Sequence, residues 1–364
     1  MKCQAHTASL LRGWAKAAVS ILLLAPLALV SRASPADPEE DQPDPSWIKV
    51  WESAQSREPI ARLIGTVNPR RMRDHLFYLA KDPLPFRKLN YTLPGHAKST
   101  LHEADDYLAG RLESWGYRVR REAVPVQAYR RDTTKPLQHQ YSQPMPGDPW
   151  YTAYNLYAER KGRSRPDEII LVLAHKDSQS WIDCPGANDN ATGTVGVLEL
   201  ACVLAEHPSD RTIRFLFCNE EHTPWTSVTA AQNAKARGDH IVSVFNLDSI
   251  GAKSAAETAA GKKANITAYT EPAGERLAGL MRAVNARFAL GLEQRTVKRP
   301  SPGDDDGSFV RAGFGAAVVN IGSWPYSDPN YHVPGDVPEL CDVPNAAMTV
   351  QATLAAILTL DQAR

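Results

Sequence analysis

Five short segments of the chain carry side chains able to hold metal ions: His175-Lys176-Asp177-Ser178, Gly186-Ala187-Asn188-Asp189-Asn190, Asn219-Glu220-Glu221, Asn246-Leu247-Asp248-Ser249 and Asn330-Tyr331-His332. Imidazoles and carboxylates without thiolates suit a catalytic zinc or a similar divalent ion, and three such ligands per ion leave a position for water. Two histidines and three carboxylates hold two ions if one carboxylate bridges, which predicts ions about 3.5–4 Å apart sharing a water or hydroxide. One glutamate is then left over. The adjacent pair Glu220 and Glu221 divides its labour naturally, one binding metal and the other handling protons. Asp177, two residues beyond His175, either caps the next turn or accepts the second ring hydrogen of His175 and orients it.

Taken singly, each residue has a blander reading. A lone histidine after a strand is more often a hydrogen-bonded core or surface residue, and an aspartate in a Gly/Asn-rich loop is usually a turn former or helix cap. These readings apply independently, so five such segments, each at a strand end or in a loop, argue against coincidence.

The elements that must deliver these residues are legible as an alternation. Glu168 to Ala174 is apolar throughout, as suits a strand covered on both faces, and Thr212 to Cys218, Ile241 to Leu247 and Ala316 to Ile321 repeat the pattern. Helical stretches near 193–206, 227–237 and 272–289 separate them. Thr100 to Trp115 reads as a packing helix, with Thr100 and Glu103 spaced as a capping box and Gly116 as its stop. Tyr117 to Val126 alternates like a half-exposed strand, and Asp342 to Ala363 reads as a final packing helix. The expected fold is α/β, an open, mostly parallel mixed sheet with helices on both faces. In such sheets ligands bind beyond the carboxyl ends of the strands, which is where the candidate residues fall.

The first 33 residues stand apart. Lys2, Arg12 and Lys16 precede the apolar run Ala17 to Val30, and Ser31-Arg32-Ala33 offers a small-x-small cleavage site. The run has 14 residues against the roughly 20 needed to span a bilayer, so a signal peptide is expected over 1–33. An exported product, periplasmic or secreted, follows. Residues 34–66 read as a flexible Pro/acid-rich leader and N-terminal extension, and 67–364 as the folded domain. Cleavage takes four of the 41 basic residues and none of the 41 acids, leaving a mature chain near −4 with no footprint for nucleic acid and no other segment apolar enough for membrane insertion. Of the four remaining cysteines, Cys202 and Cys218 read as buried apolar residues. Cys184 and Cys341 sit in loops, where a bridge between them is open.

Together the five segments, with Phe215-Leu-Phe-Cys-Asn before the glutamate pair and Asp336 after His332, resemble the zinc metallopeptidases of family M28, over roughly residues 67–364. The resemblance implies that Asp189 bridges two zinc ions, with Glu221 and His332 completing one site and His175 and Asp248 the other; cobalt or manganese would suit the same ligands. It implies Glu220 as general base, a non-proline cis bond after Asp189, peptide substrates, and most often an aminopeptidase working through a metal-bridging hydroxide. Glutaminyl cyclases and carboxypeptidases share the scaffold, and a carboxypeptidase would need an arginine such as Arg295, Arg299 or Arg311 to grip a substrate carboxylate. A non-catalytic binding module should show a broken ligand, and none is broken. Two stretches depart from the family: His222-Thr-Pro-Trp225-Thr-Ser227 replaces a Gly-rich run beside the cleft, and Asp304-Asp305-Asp306 replaces Ser-Asp-His, a change able to alter the charge of the pocket.

Overall fold

Strands β1 (Arg120–Ala128), β4 (Trp150–Arg160), β5 (Arg165–His175), β6 (Arg211–Cys218), β7 (His222–Thr223), β8 (His240–Leu247), β9 (Ala264–Tyr269), β10 (Glu293–Lys298) and β11 (Ala317–Ile321) form one sheet in the computed structural model, and β2 (Arg130–Arg131) pairs with β3 (Tyr141–Ser142) in a separate ribbon. The structure describes residues 43–363, so the expected signal peptide lies outside the described residues. The strand order is β10-β9-β11-β8-β5-β6-β4-β1-β7. Its four central strands, β11, β8, β5 and β6, run parallel, while β4, β1 and β7 extend one flank antiparallel.

Side-chain parity in the central strands builds two cores. Ile170, Val172 and Ala174 of β5 point to one face with Phe215 and Phe217 of β6, and there meet the helices Gly193–Leu204 and Val343–Gln362. Leu171 and Leu173 point to the other, with Leu216 and Cys218, against the helix Thr226–Arg237 and Phe309. Strands with apolar residues of both parities are stable only when covered on both sides, hence the uninterrupted apolar runs. Val343–Gln362 is long and apolar enough to cross a membrane, but its apolar residues are spent on this core.

Several expectations change. Residues 45–64, read as leader and extension, fold as helices Pro45–Glu52 and Ala54–Ile64, so the packed body begins before the expected boundary at 67. Trp47, Val50 and Trp51, then Ile60 and Ile64, form i, i+3, i+4 stripes buried in the main core, and Trp51 Nε1 donates to Thr359 Oγ1 at 3.0 Å. The acidic, proline-rich text just upstream hid that stripe. Ile60 is 0% exposed, so Ile60→Ala should cost about 2–5 kcal/mol of unfolding free energy in a denaturant titration. An unchanged midpoint would mean that these helices lie outside the cooperative unit.

The cap of the helix Thr100–Ser114 is Ser99, whose Oγ accepts from His102 N; Thr100 instead binds the Lys88 backbone, and Glu103 pairs with His96. The strands β4, β9 and β10 were not separable in the text, and β10, with the sequence Glu-Gln-Arg-Thr-Val-Lys, is a polar edge strand. Among the described residues all four cysteines are free. Instead of bridging, the Cys184 thiol donates to Val333 O at 3.0 Å and that of Cys341 to Val337 O at 3.8 Å.

Candidate metal centre

The central parallel strands end side by side. Register pairs His175 with Cys218 across β5 and β6, so His175 and the Asn219-Glu220-Glu221 loop leave the sheet together. Asp248 follows β8 directly, and its N–H donates to Asn320 O of β11 at 2.9 Å. His332 lies in the loop after β11.

Asp189 needs more construction, because it precedes a helix rather than following a strand. The Asp336 carboxylate accepts the N–H groups of Asn188 (2.7 Å) and Asp189 (3.0 Å). The Asp189–Asn190 peptide bond is cis, as the resemblance implied. Asn190 Oδ1 then accepts from Gly193 N and Ser249 N, and its Nδ2 donates to Leu247 O, tying this segment to the end of β8. A Cβ at Gly193 would sit 2.1 Å from Leu247 O, so only glycine fits the helix start at that distance.

The result is two triads sharing one carboxylate. His175 Nε2 lies 3.2 Å from Asp189 Oδ1 and 3.5 Å from Asp248 Oδ1; His332 Nε2 lies 3.0 Å from Asp189 Oδ2 and 3.2 Å from Glu221 Oε1. Within each triad one ligand atom per residue falls inside 4.8 Å of the others, close enough to surround an ion. Asp189 turns a different oxygen to each triad, the geometry of a bridging ligand.

The charge of the site agrees. Asp189, Glu220, Glu221 and Asp248 are four carboxylates around two imidazoles, all buried except Glu220, which is half-buried. Burial alone would lower the pKa of His332, but the Glu221 and Asp189 carboxylates outweigh it and push it up to about 10. Burial likewise opposes protonation of His175, and hydrogen bonds to Asp177, Asp189 and Asp248 override it. A cluster that draws protons onto its imidazoles asks for positive charge, and divalent cations between these donors would supply it. Zinc fits the donor set.

Asp177 does more than orient one imidazole. Its Oδ1 accepts Glu220 N at 2.9 Å and faces His175 Nδ1 at 3.3 Å; its Oδ2 accepts Glu221 N at 2.9 Å and His222 Nδ1 at 2.8 Å. Burial works against the charge, yet the hydrogen bonds to His175 and His222 hold this carboxyl well below the usual carboxylate range. His222 Nε2 accepts Leu89 N at 3.3 Å, so Nδ1 is the protonated nitrogen.

Glu220 is half-buried, and its Oε2 is buried without a partner among the described residues. Burial first, then the Asp305 carboxylate, pushes its pKa well above the ordinary value. The acidic run 304–306 therefore acts from behind Glu220 and does not line the cavity: Arg299 pairs with Asp304 and Asp306, and Asp305 accepts from Cys218 Sγ at 3.0 Å. Trp225, from the other departure, does line it.

Further residues escaped the text. Gln179 Nε2 donates to Asp189 Oδ2 (2.9 Å) and Glu221 Oε1 (3.1 Å), aiming both carboxylates. Arg87, fully buried, donates to the carbonyls of Leu79, Lys176, Pro185 and Gly186 and so binds the loops on either side of the centre. Gln138 O, in the excursion between β2 and β3, accepts His332 Nδ1 at 3.0 Å. Isolated Gln and Arg carry no spacing signal. The positive φ of Ser249, Tyr326 and His332, each a non-glycine residue beside the centre, is the kind of local strain that clusters at functional sites.

The cavity over the triads has a volume of about 70 Å³ and is walled by aromatic rings, among them Tyr129, Tyr141, Trp181 and Tyr331. Tyr331 stacks on His332 at 3.7 Å and Tyr326 on Tyr331 at 4.9 Å, so the wall is a packed series. A larger groove of about 870 Å³, rich in arginine, shares no residue with it and brings no ligand set together.

Peptidase family M28 matches residues 155–357, more than half of the 364, and the chain belongs to that family. A probable zinc metalloprotease from Pyrenophora teres f. teres is 26% identical over 259 residues, covering 58% of this chain and 52% of that protein, so the chain spans about half the length of such relatives. An aminopeptidase of Bacillus subtilis is 42% identical over 66 residues, 18% of this chain and 14% of its own. Among solved structures, an aminopeptidase from Aneurinibacillus sp. strain AM-1 superposes with TM-score 0.61 at 14% identity, over 82% of this chain and 95% of that one. A glutaminyl cyclase of Bacteroides thetaiotaomicron gives 0.60 at 16%, over 80% and 98%. These likenesses show the shared fold.

Proposed function

We propose that this chain is a zinc-dependent aminopeptidase that removes N-terminal residues from peptides. The observation that carries this reading is the lining of the cavity: carboxylates, imidazoles and aromatic rings, with no lysine or arginine among the described lining residues. Such a site attracts a free α-ammonium and repels a C-terminal carboxylate. The three arginines available to a carboxypeptidase are engaged elsewhere, Arg299 with Asp304 and Asp306, Arg295 with Glu257, and Arg311 with Pro302 O.

Two zinc ions held by His175, Asp248, Asp189, Glu221 and His332 would supply Lewis acidity, lowering the pKa of a water and polarising the scissile carbonyl. The protein's own contribution is positional and protonic. Glu220 Oε2, free of partners, takes the proton of the attacking water and returns it to the leaving amine as the C–N bond breaks. Asp177 fixes the Glu220 backbone, so the base keeps its place relative to His175. The aromatic rings narrow the space over the centre, which favours a chain end over a chain middle on this reading.

The test is incubation of the metal-loaded protein with free, N-acetylated and Gln-initiated peptides, with and without a chelator, and mass spectrometry of the products. Loss of the first residue from free peptides alone, abolished by chelator, is expected. C-terminal loss, or ammonia release from the Gln peptide, would replace this reading with a carboxypeptidase or a cyclase.

A further inference from the structure

Trp181 occupies the loop between His175 and Asp189 and lines the cavity. It is 8% exposed, with its ring edge-on to His332 at 5.1 Å and to Tyr129 at 5.9 Å, and tilted against Tyr141 at 5.0 Å. Its position is thus fixed on three sides. Yet its indole Nε1–H is buried without any hydrogen-bond partner among the described residues. The contrast with Trp51, whose Nε1 reaches Thr359 Oγ1, is direct. Buried donors are paired in the great majority of cases, so an orphan at a cavity wall points to a partner that arrives with the ligand.

The chemistry of the cavity says which group that partner carries. The carboxylates and imidazoles are committed to the triads and to proton transfer, and the Tyr326 hydroxyl donates to Asp248 Oδ2 at 3.1 Å. A peptide entering this site brings N–H donors, which the carboxylates can accept, and carbonyl acceptors, which only the neutral donors of the aromatic wall can serve. On the aminopeptidase reading above, on which this inference rests, we propose that the Trp181 indole N–H is a substrate-positioning donor to a main-chain carbonyl oxygen of the bound peptide. It orients the chain end against the aromatic wall of the cavity. The same contact disfavours ligands that present no carbonyl to that wall.

The experiment uses the metal-loaded full chain carrying Glu220→Gln, which should bind peptide without cleaving it. Calorimetry compares a free-amine tripeptide with two isosteres in which the first or the second carbonyl is reduced to CH2, for this protein and for the same protein with Trp181→Phe. That substitution removes the N–H together with the five-membered ring, so the isosteres, which differ from the tripeptide by one carbonyl, separate the hydrogen bond from the packing loss. Trp181→Phe should weaken the tripeptide about 3- to 10-fold, the range of one neutral hydrogen bond. Its effect on one of the two isosteres should be smaller by that factor, with metal content held. Equal tripeptide affinity with and without the indole N–H would overturn the proposal, as would an equal loss for the tripeptide and both isosteres, which marks packing rather than hydrogen bonding. Absence of peptide binding by the Glu220→Gln protein, together with no cleavage by the unsubstituted chain, overturns the aminopeptidase reading itself, a separate result.

Discussion

Glu220→Gln should lower kcat by about 10²–10⁴-fold, the usual worth of a positioned general base, while the metal content stays that of the parent. The substitution keeps the shape of the side chain, and the Glu220 backbone remains held by Asp177 Oδ1. What disappears is an acceptor for the proton of water, at an oxygen that has no other partner. Steady-state kinetics beside elemental analysis of the dialysed protein separate the two effects. Activity within about tenfold of the parent would remove Glu220 from the mechanism.

Asp189→Ala should be as damaging for a different reason. Its two oxygens face different histidines, Oδ1 toward His175 and Oδ2 toward His332, so one truncation takes a ligand from both triads. Elemental analysis after dialysis should find metal falling from two ions per chain to well below one, whereas Asp248→Ala and Glu221→Ala should each spare one ion. Activity should fall to background in the Asp189 variant. If that protein kept one tightly held ion, the triads would be independent sites and the bridging assignment would be wrong.

Much of this was legible because strands buried on both faces cannot hide. The apolar runs ending at Ala174, Cys218 and Leu247 announce parallel neighbours, and polar residues directly after such runs must emerge at one edge. All six candidate residues do converge there. The rest was invisible for equally physical reasons. The edge strand β10 carries a polar sequence because one side of it has no neighbour to satisfy. The helices 45–64 bury only a narrow stripe, overwritten in composition by the acidic text before them. Arg87, Gln179 and Gln138 act through contacts that no local pattern encodes, 89 positions apart between Arg87 and Lys176, 42 between Gln179 and Glu221 and 194 between Gln138 and His332. The Cys184–Cys341 bridge failed because loop placement says nothing about where a thiol points.

The carboxylate of Asp177 has a consequence of its own. One planar group touches the imidazole of the first triad, the backbone of Glu220, the backbone of Glu221 in the second triad, and His222. The spacing between the halves of the centre is therefore inherited partly from the covalent geometry of a single side chain rather than from the packing of two loops. Ligand and base are thereby referred to one carboxylate, and a displacement of that group would shift both halves of the centre together.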